Sequence, residues 1–124
     1  MLRQLTFLFC AIPALAIAEE REPFFGSWGT PQQCAREPIK PGGTVLASPI
    51  EIDIDWLRQG QIWCRLTWFP VEPRGDGQFT GARAQCGEDS VQDYILGMTL
   101  ADDALTVRWS FLVSNGPLGR CEQS

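Results

Sequence analysis

Residues 62–86 read IWCRLTWFPVEPRGDGQFTGARAQC, two alternating segments on either side of a loop. The first segment alternates with the period of two that is typical of a half-buried β-strand. The loop, PVEPRGDG, holds two prolines and two glycines in eight residues, which neither a helix nor a central strand accommodates. Folding the segment about Gly75 sets Cys64 opposite Cys86. The pattern therefore predicts an antiparallel hairpin with a Cys64–Cys86 disulfide.

The same register places large side chains opposite small ones, which is a favourable arrangement across a pair of strands. It predicts that an aromatic ring covers a glycine, as in strand pairs where a ring shields exposed backbone. The three predicted pairs are Leu66 with Ala84, Trp68 with Ala82, and Phe69 with Gly81.

Two further hairpins are predicted on either side of this one. Residues 50–56 alternate isoleucine with acidic residues, and a turn is expected at 57–60. Residues 92–111 alternate on both sides of a turn at 101–104. We therefore expect an all-β fold, an antiparallel meander of about six to eight short strands that closes into a small barrel or a tight sandwich.

The first eighteen residues have the features of a signal peptide. Arg3 precedes an apolar run over residues 5–17, and small residues precede a cleavage site after Ala18. The run is shorter than the roughly 20 residues of a transmembrane helix. We expect residues 1–18 to be removed and residues 19–124 to form a single β-barrel-like domain, periplasmic or secreted and without a membrane span.

Removal of the signal peptide takes away Cys10 and leaves an even number of cysteines. An exported chain of this kind is typical of a protein that disulfides stabilise. A zinc site is not indicated, because no C-x-x-C pair is present. With Cys64–Cys86 set by the hairpin register, a Cys34–Cys121 disulfide is left by elimination.

Charge and composition exclude several classes of function. The net charge of −5, which becomes −6 when Arg3 is lost, repels phosphate backbones, so we expect no nucleic-acid partner. The chain has no histidine, which excludes histidine-dependent triads and dyads. Asp53 and Asp55 could act as a catalytic carboxylate pair, or together with Glu51 they could hold Ca²⁺. However, acids alternating with isoleucine are typical of a solvent-facing strand. We expect a protein that is not an enzyme and has no cofactor or metal.

Aromatic and arginine side chains share the hairpin face opposite the disulfide, and such a mixture is typical of protein interfaces. We call this set the aromatic–arginine face and add to the predicted interaction surface Phe24 and Phe25, which precede the first strand. The alternative is that the face is covered, by Phe24 and Phe25 or by the loop at 37–49. The members of the face are Trp63, Arg65, Phe69, Val71, Phe79 and Arg83.

Two short motifs lie at the ends of the mature chain. Gly26-Ser27-Trp28 is similar to the G-x-W signature that opens calycin barrels, the lipocalins and their relatives. Arg120 is placed like the arginine that stacks on that tryptophan, so the resemblance implies that Trp28 and Arg120 pair at one barrel end. The spacing from Trp28 to Cys34 also resembles small periplasmic barrels of the metalloprotease-inhibitor type and uncharacterised alphaproteobacterial exported proteins.

Two functions of different classes follow from these features. The first is that of a non-enzymatic interaction protein, most specifically an inhibitor of a secreted or periplasmic hydrolase. In the inhibitor-like barrels the N-terminal segment enters the protease cleft, which implies that role for residues 19–25. The second is that of a lipocalin-like carrier of a small apolar ligand. A filled interior favours the first and a hollow interior the second. The barrel lining predicted for a carrier is Trp56, Trp68, Tyr94, Met98 and Trp109.

Overall fold

The computed structural model describes residues 20–87, 90–110 and 113–122. These residues contain nine β-strands and two short helical turns, joined by loops. The predicted signal peptide, residues 1–18, lies outside these residues. The helical turns are a 3₁₀ turn at Glu22–Phe24 and α1 at Pro31–Cys34. The strands are β1 (Gly26–Gly29), β2 (Ile50–Ile52), β3 (Trp56–Gln59), β4 (Ile62–Trp68), β5 (Glu72–Arg74), β6 (Gly77–Cys86), β7 (Gln92–Ala101), β8 (Ala104–Trp109) and β9 (Ser114–Arg120).

Eight of these strands form a closed antiparallel barrel. Their order is β4-β3-β2-β1-β9-β8-β7-β6, and β4 also pairs with β6, so the sheet closes on itself. The short β5 pairs with residues 77–79 of β6, beyond the point where β4 ends. The expectation of an all-β antiparallel fold is confirmed, and of its two forms the structure adopts the barrel.

Both predicted disulfides are present. Cys64 and Cys86 are opposite each other on β4 and β6, with Cα atoms 4.1 Å apart. The second bond joins Cys34 at the end of α1 to Cys121 just after β9, across 87 positions of sequence. This bond ties the connection between β1 and β2 to the last strand of the barrel.

The register of the β4–β6 hairpin agrees with the large-to-small pairing. Leu66 is opposite Ala84 and Trp68 is opposite Ala82. The Phe69 ring lies on Gly81, since a Cβ atom built there would come within 2.8 Å of the ring. The pairing puts Trp68 inside the barrel and leaves Phe69 outside it.

The predicted turn at 57–60 is wrong, because the chain already turns after Ile52. The Asp53 N–H donates to the Trp56 carbonyl at 2.8 Å, and the Asp53 carboxylate accepts from the Ile54 N–H at 2.7 Å. Aspartate favours such turns because its side chain binds nearby backbone amides. Residues 56–59 are therefore strand β3, and Gly60, at φ 62°, begins the next turn.

The hairpin predicted over residues 92–111 is confirmed as far as Trp109, where β8 ends. Ser110 lies in a turn, and Phe111 lies outside the described residues. The turn of the hairpin contains Asp102 and Asp103, both with left-handed backbone angles that aspartate tolerates. On β7 the inward side chains Leu96 and Met98 are fully buried. They meet the buried side chains of β3, β4 and β8 in one continuous core.

Candidate functional site

One end of the barrel is plugged. Trp28 is fully buried, and its Nε1 donates to the Phe24 carbonyl at 2.9 Å. The Arg120 guanidinium lies over the Trp28 ring, 4.2 Å from its centroid. It also donates to the carbonyls of Phe25, at 2.8 Å, and Pro23, at 2.7 Å. Arg120 therefore fastens the segment that precedes β1 across this end, which we call the closed end.

The segment proposed to enter a protease cleft is part of this plug. Phe24 is fully buried, and its ring contacts Trp68 edge-on at 6.0 Å. Phe25, half-buried, contacts the same ring at 5.9 Å. Phe24 therefore lies inside the barrel and not on the interaction surface with which it was grouped, because its apolar ring fills the space beside Trp68. Glu19, where the segment begins, lies outside the described residues.

Two of the residues that were predicted to line a carrier's ligand site, Trp68 and Met98, instead fill the middle of the barrel. Met98 is fully buried, and Trp68 is nearly so, with its Nε1 donating to the Ile54 carbonyl at 2.7 Å. Trp56 is half-buried at the β2–β3 turn, where the Arg58 guanidinium lies 5.7 Å from its ring. Of the five predicted lining residues, only Tyr94 and Trp109 line the cavity at the other end of the barrel. Trp68 and Met98 are packed in the core instead.

The other end of the barrel holds a cavity of about 550 Å³. Leu57, Tyr94 and Trp109 form its inner wall, and the two rings meet edge-on at 5.9 Å. Cys86, half of the β4–β6 disulfide, also lines it. β4 begins at this cavity with Ile62 and ends with Trp68, which contacts Phe24 of the closed end. The cavity therefore lies at the opposite end of the barrel, which we call the open end.

Apolar side chains surround the mouth of the cavity. Ile62 and Trp63, at the start of β4, are 58% and 46% exposed, and Val113 is 45% exposed. Large apolar side chains at this exposure are ordinary when scattered, but a cluster at a cavity mouth indicates a binding site.

The polar groups of the cavity are amides and hydroxyls. The Tyr94 hydroxyl donates to Gln92 Oε1 at 3.2 Å, and Gln59 Nε2 donates to the Ser48 carbonyl at 3.1 Å. The other polar residues of the lining are Gln61, Ser90 and Asn115. None of the described residues that line this cavity carries a charge.

A second cavity, of about 590 Å³, lies beside the first and shares Gln59 and Asn115 with it. It lies between α1, the loop that follows α1, and the start of β9. Ile39 and Leu46 of that loop also border it.

The aromatic–arginine face is on the outside of the barrel. Trp63 and Phe69 are 46% and 41% exposed, and Arg65 is also exposed. Phe79 is half-buried beneath the Arg74 guanidinium, 3.7 Å from its ring centroid. Phe24 and Phe25 do not cover this face, because they lie against Trp68 at the closed end.

Arg83 belongs to the same face and is held in an ion pair. Its Nη2 lies 2.8 Å from Asp93 Oδ2 on the neighbouring strand. The hydrogen bond from Arg83 lowers the pKa of the Asp93 carboxyl below its ordinary value. Ile95, opposite Arg83 on β7, is 49% exposed and extends the face.

The acidic residues do not converge on a reactive site. Asp53 and Asp55 lie at the β2–β3 turn and not on the strand face that was predicted for them. Glu51 does face outward, and it accepts hydrogen bonds from Arg36 and Arg58. Among the described residues, no group of three or more histidine, cysteine or acidic side chains could hold a metal ion. No helix in this part of the chain has the length and apolar character needed to cross a membrane.

Comparison with known proteins identifies no relative of this chain. The chain matches no protein-family model, no curated protein and no solved structure. The site therefore has to be interpreted from its own geometry.

Proposed function

We propose that the protein is a non-enzymatic binding protein that takes the apolar part of a small ligand into the cavity at the open end. The observation that supports this most directly is the cavity itself, about 550 Å³ and open to solvent. Small-molecule pockets commonly measure about 300–1,000 Å³, with mostly apolar walls and a few polar groups that orient the ligand. The wall of Leu57, Tyr94 and Trp109 with the amides of Gln59 and Gln92 has that composition.

The two ends of the barrel differ in a way that also supports ligand binding. At the closed end, Trp28 is fully buried and Arg120 ties the preceding segment across it. At the open end, Ile62 and Val113 remain 58% and 45% exposed around the mouth. A bound apolar group would remove these side chains from water, which favours binding by about 25 cal/mol for each Å² of apolar area covered.

An uncharged apolar dye, N-phenyl-1-naphthylamine, tests this proposal, because its fluorescence increases in apolar surroundings. We expect the dye to bind the wild-type protein in a one-to-one complex. Val113→Trp places an indole in the mouth and should weaken binding by about tenfold, equivalent to about 1.4 kcal/mol. The matched control is Val45→Trp, an exposed position that lines neither cavity.

Two results would count against ligand binding at this site. One is a dye signal that Val113→Trp and Val45→Trp reduce equally, which would place the dye elsewhere. The other is an absence of dye binding together with no co-purified small molecule in native mass spectra of protein isolated from its own host.

We also propose that the protein is exported to the periplasm or outside the cell, with cleavage after Ala18. The Cys34–Cys121 and Cys64–Cys86 bonds are compatible with an oxidising compartment. Mass spectrometry of the protein from a periplasmic extract should give a chain beginning at Glu19 with four oxidised cysteines. A cytoplasmic protein that retains Met1 would contradict it.

A protein partner is the second candidate function, and the aromatic–arginine face is the observation that favours it. Trp63, Phe69 and Ile95 are exposed and lie near Arg65 and Arg83, a composition typical of interface hot spots. The most specific form of this candidate is inhibition of a secreted or periplasmic hydrolase.

Affinity capture from a periplasmic extract tests the second candidate. We expect wild-type protein to retain a partner that Ile95→Arg loses. Val45→Arg, which adds the same charge at an exposed apolar position away from the face, should keep the partner. Assays against panels of proteases and lysozymes test the inhibitor form. No retained partner and no inhibition would overturn this candidate and leave the cavity proposal standing.

A further inference from the structure

The two cavities at the open end meet at a pair of amide side chains. Gln59, at the end of β3, and Asn115, near the start of β9, line both of them. Gln59 Nε2 donates to the Ser48 carbonyl at 3.1 Å, which holds that amide at the boundary. The two cavities are therefore adjacent, and a ligand that reaches across these two amides would contact both of them.

The walls of the two cavities differ in chemistry. The first is walled by rings and aliphatic chains, including Leu57, Tyr94 and Trp109. The second has four apolar residues at its border, Ile39, Leu46 and Ala47 of the loop and Leu118 of β9, but the rest of its wall is richer in hydroxyls and amides than that of the first. Those polar side chains are Thr30, Gln32, Gln33, Ser48 and Ser114.

Neither cavity has a charged wall among the residues that the structure describes. Thirteen described residues line each cavity, and none of them is aspartate, glutamate, lysine or arginine. Charged residues are 20% of the chain and are ordinarily concentrated at the surface, where both cavities open. The described walls therefore offer a ligand apolar contacts and hydrogen bonds rather than ion pairs.

We infer that the ligand is an uncharged amphiphile, with an apolar ring or chain in the first cavity and a hydroxylated head group in the second. This inference depends on the proposed ligand-binding function and names the ligand class for it. Hydroxyls and amides both donate and accept hydrogen bonds, so they match a polyhydroxylated group such as a sugar. A carboxylate or ammonium in either cavity would lose hydration and meet no opposite charge from the described walls.

Three probes with the same eight-carbon chain separate the parts of this inference. They are n-octyl β-D-glucoside below its micellar concentration, 1-octanol and octanoate, each measured by isothermal titration calorimetry. We expect the glucoside to bind about tenfold more tightly than octanol, because each added hydrogen bond replaces one to water and so contributes only a small net gain. Octanoate should bind more weakly than octanol.

A charge-introducing variant locates the head group. Ser114→Glu places a carboxylate in the second cavity and should reduce glucoside affinity to the level of octanol while leaving octanol affinity unchanged. The matched control, Thr44→Glu, adds the same charge on the loop at a position that lines neither cavity. It should leave all three affinities unchanged.

The outcomes separate this inference from the function on which it depends. Equal affinity for the glucoside and octanol would overturn the head-group cavity, and tightest binding of octanoate would overturn the uncharged ligand. In both cases binding of the naphthylamine dye would still support the open-end site. Failure of the dye and of all three probes to bind would overturn both.

Discussion

Arg120 holds the closed end together through several contacts of one side chain. The guanidinium stacks on Trp28, 4.2 Å from the ring centroid, and donates to two backbone carbonyls. Arginine can stack and donate hydrogen bonds at the same time, because its guanidinium fork is planar and carries several N–H donors in fixed directions. Lysine offers the same charge without that geometry.

We therefore predict that Arg120→Ala lowers the free energy of unfolding by about 2–3 kcal/mol and that Arg120→Lys recovers less than half of the loss. Urea unfolding followed by tryptophan fluorescence measures both variants. The control is Arg108→Ala on the exposed side of β8, where we expect a loss within about 0.5 kcal/mol. Full recovery by lysine would show that charge, and not the shape of the fork, holds the closed end.

Gly81 and Phe69 give a second test at the scale of single residues. A Cβ at Gly81 would come within 2.8 Å of Phe69 Cδ2, so Gly81→Ala displaces the ring. Overpacking of this kind costs roughly 1–3 kcal/mol. In the background of Phe69→Ala the ring is absent, so Gly81→Ala should cost less than about 0.5 kcal/mol. Additive losses in the double-mutant cycle, measured by urea unfolding, would contradict direct contact between the two.

At the scale of elements, the disulfides constrain segments of very different length. Cys34–Cys121 spans 87 positions and joins α1 to the end of β9, whereas Cys64–Cys86 spans 22 positions within one hairpin. In the chain-entropy description, a crosslink stabilises more when it closes a longer loop. That description assigns about 4–5 kcal/mol to the long-range bond and about 3 kcal/mol to the hairpin bond.

Paired serine substitutions test this order. Removing Cys34 and Cys121 together should lower the free energy of unfolding more than removing Cys64 and Cys86 together, by about 1–2 kcal/mol. Guanidinium unfolding of both double variants under identical conditions supplies the comparison. The reverse order would indicate that the hairpin bond contributes through packing in the core, where both of its cysteines are buried.

The elements also show where a single sequence is informative. The β4–β6 register was predictable because two cysteines, two alanines and a glycine each required a particular residue opposite. The turn after Ile52 was not, because Asp53 serves equally well on a solvent-facing strand and in a turn that its carboxylate caps. The alternation of isoleucine and aspartate continues through that turn, so the pattern contains no sign of the break.

For the whole molecule, the closed end was largely predictable and the open end was not. Trp28 and Arg120 belong to short motifs that could be recognised in the sequence. The cavity instead depends on side chains from β3, β4, β7, β8 and β9, whose distances follow from the closure of the barrel. Tyr94 and Trp109 were expected to line a ligand site, whereas the exposure of Ile62 and Val113 had no signal in the alternating pattern.

Because the plug and the cavity lie at opposite ends of the barrel, their contributions to stability should be independent. A ligand that binds only the folded protein stabilises it by about 2.7 kcal/mol at one hundred times its dissociation constant. We predict that N-phenyl-1-naphthylamine raises the free energy of unfolding by this amount in wild-type protein and in Arg120→Ala, with the dye concentration adjusted to each dissociation constant. We also expect those two constants to agree, since distant sites without shared contacts are usually additive within about 0.5 kcal/mol. Weaker dye binding by Arg120→Ala, measured by fluorescence titration, would instead show that the packed middle of the barrel couples its two ends.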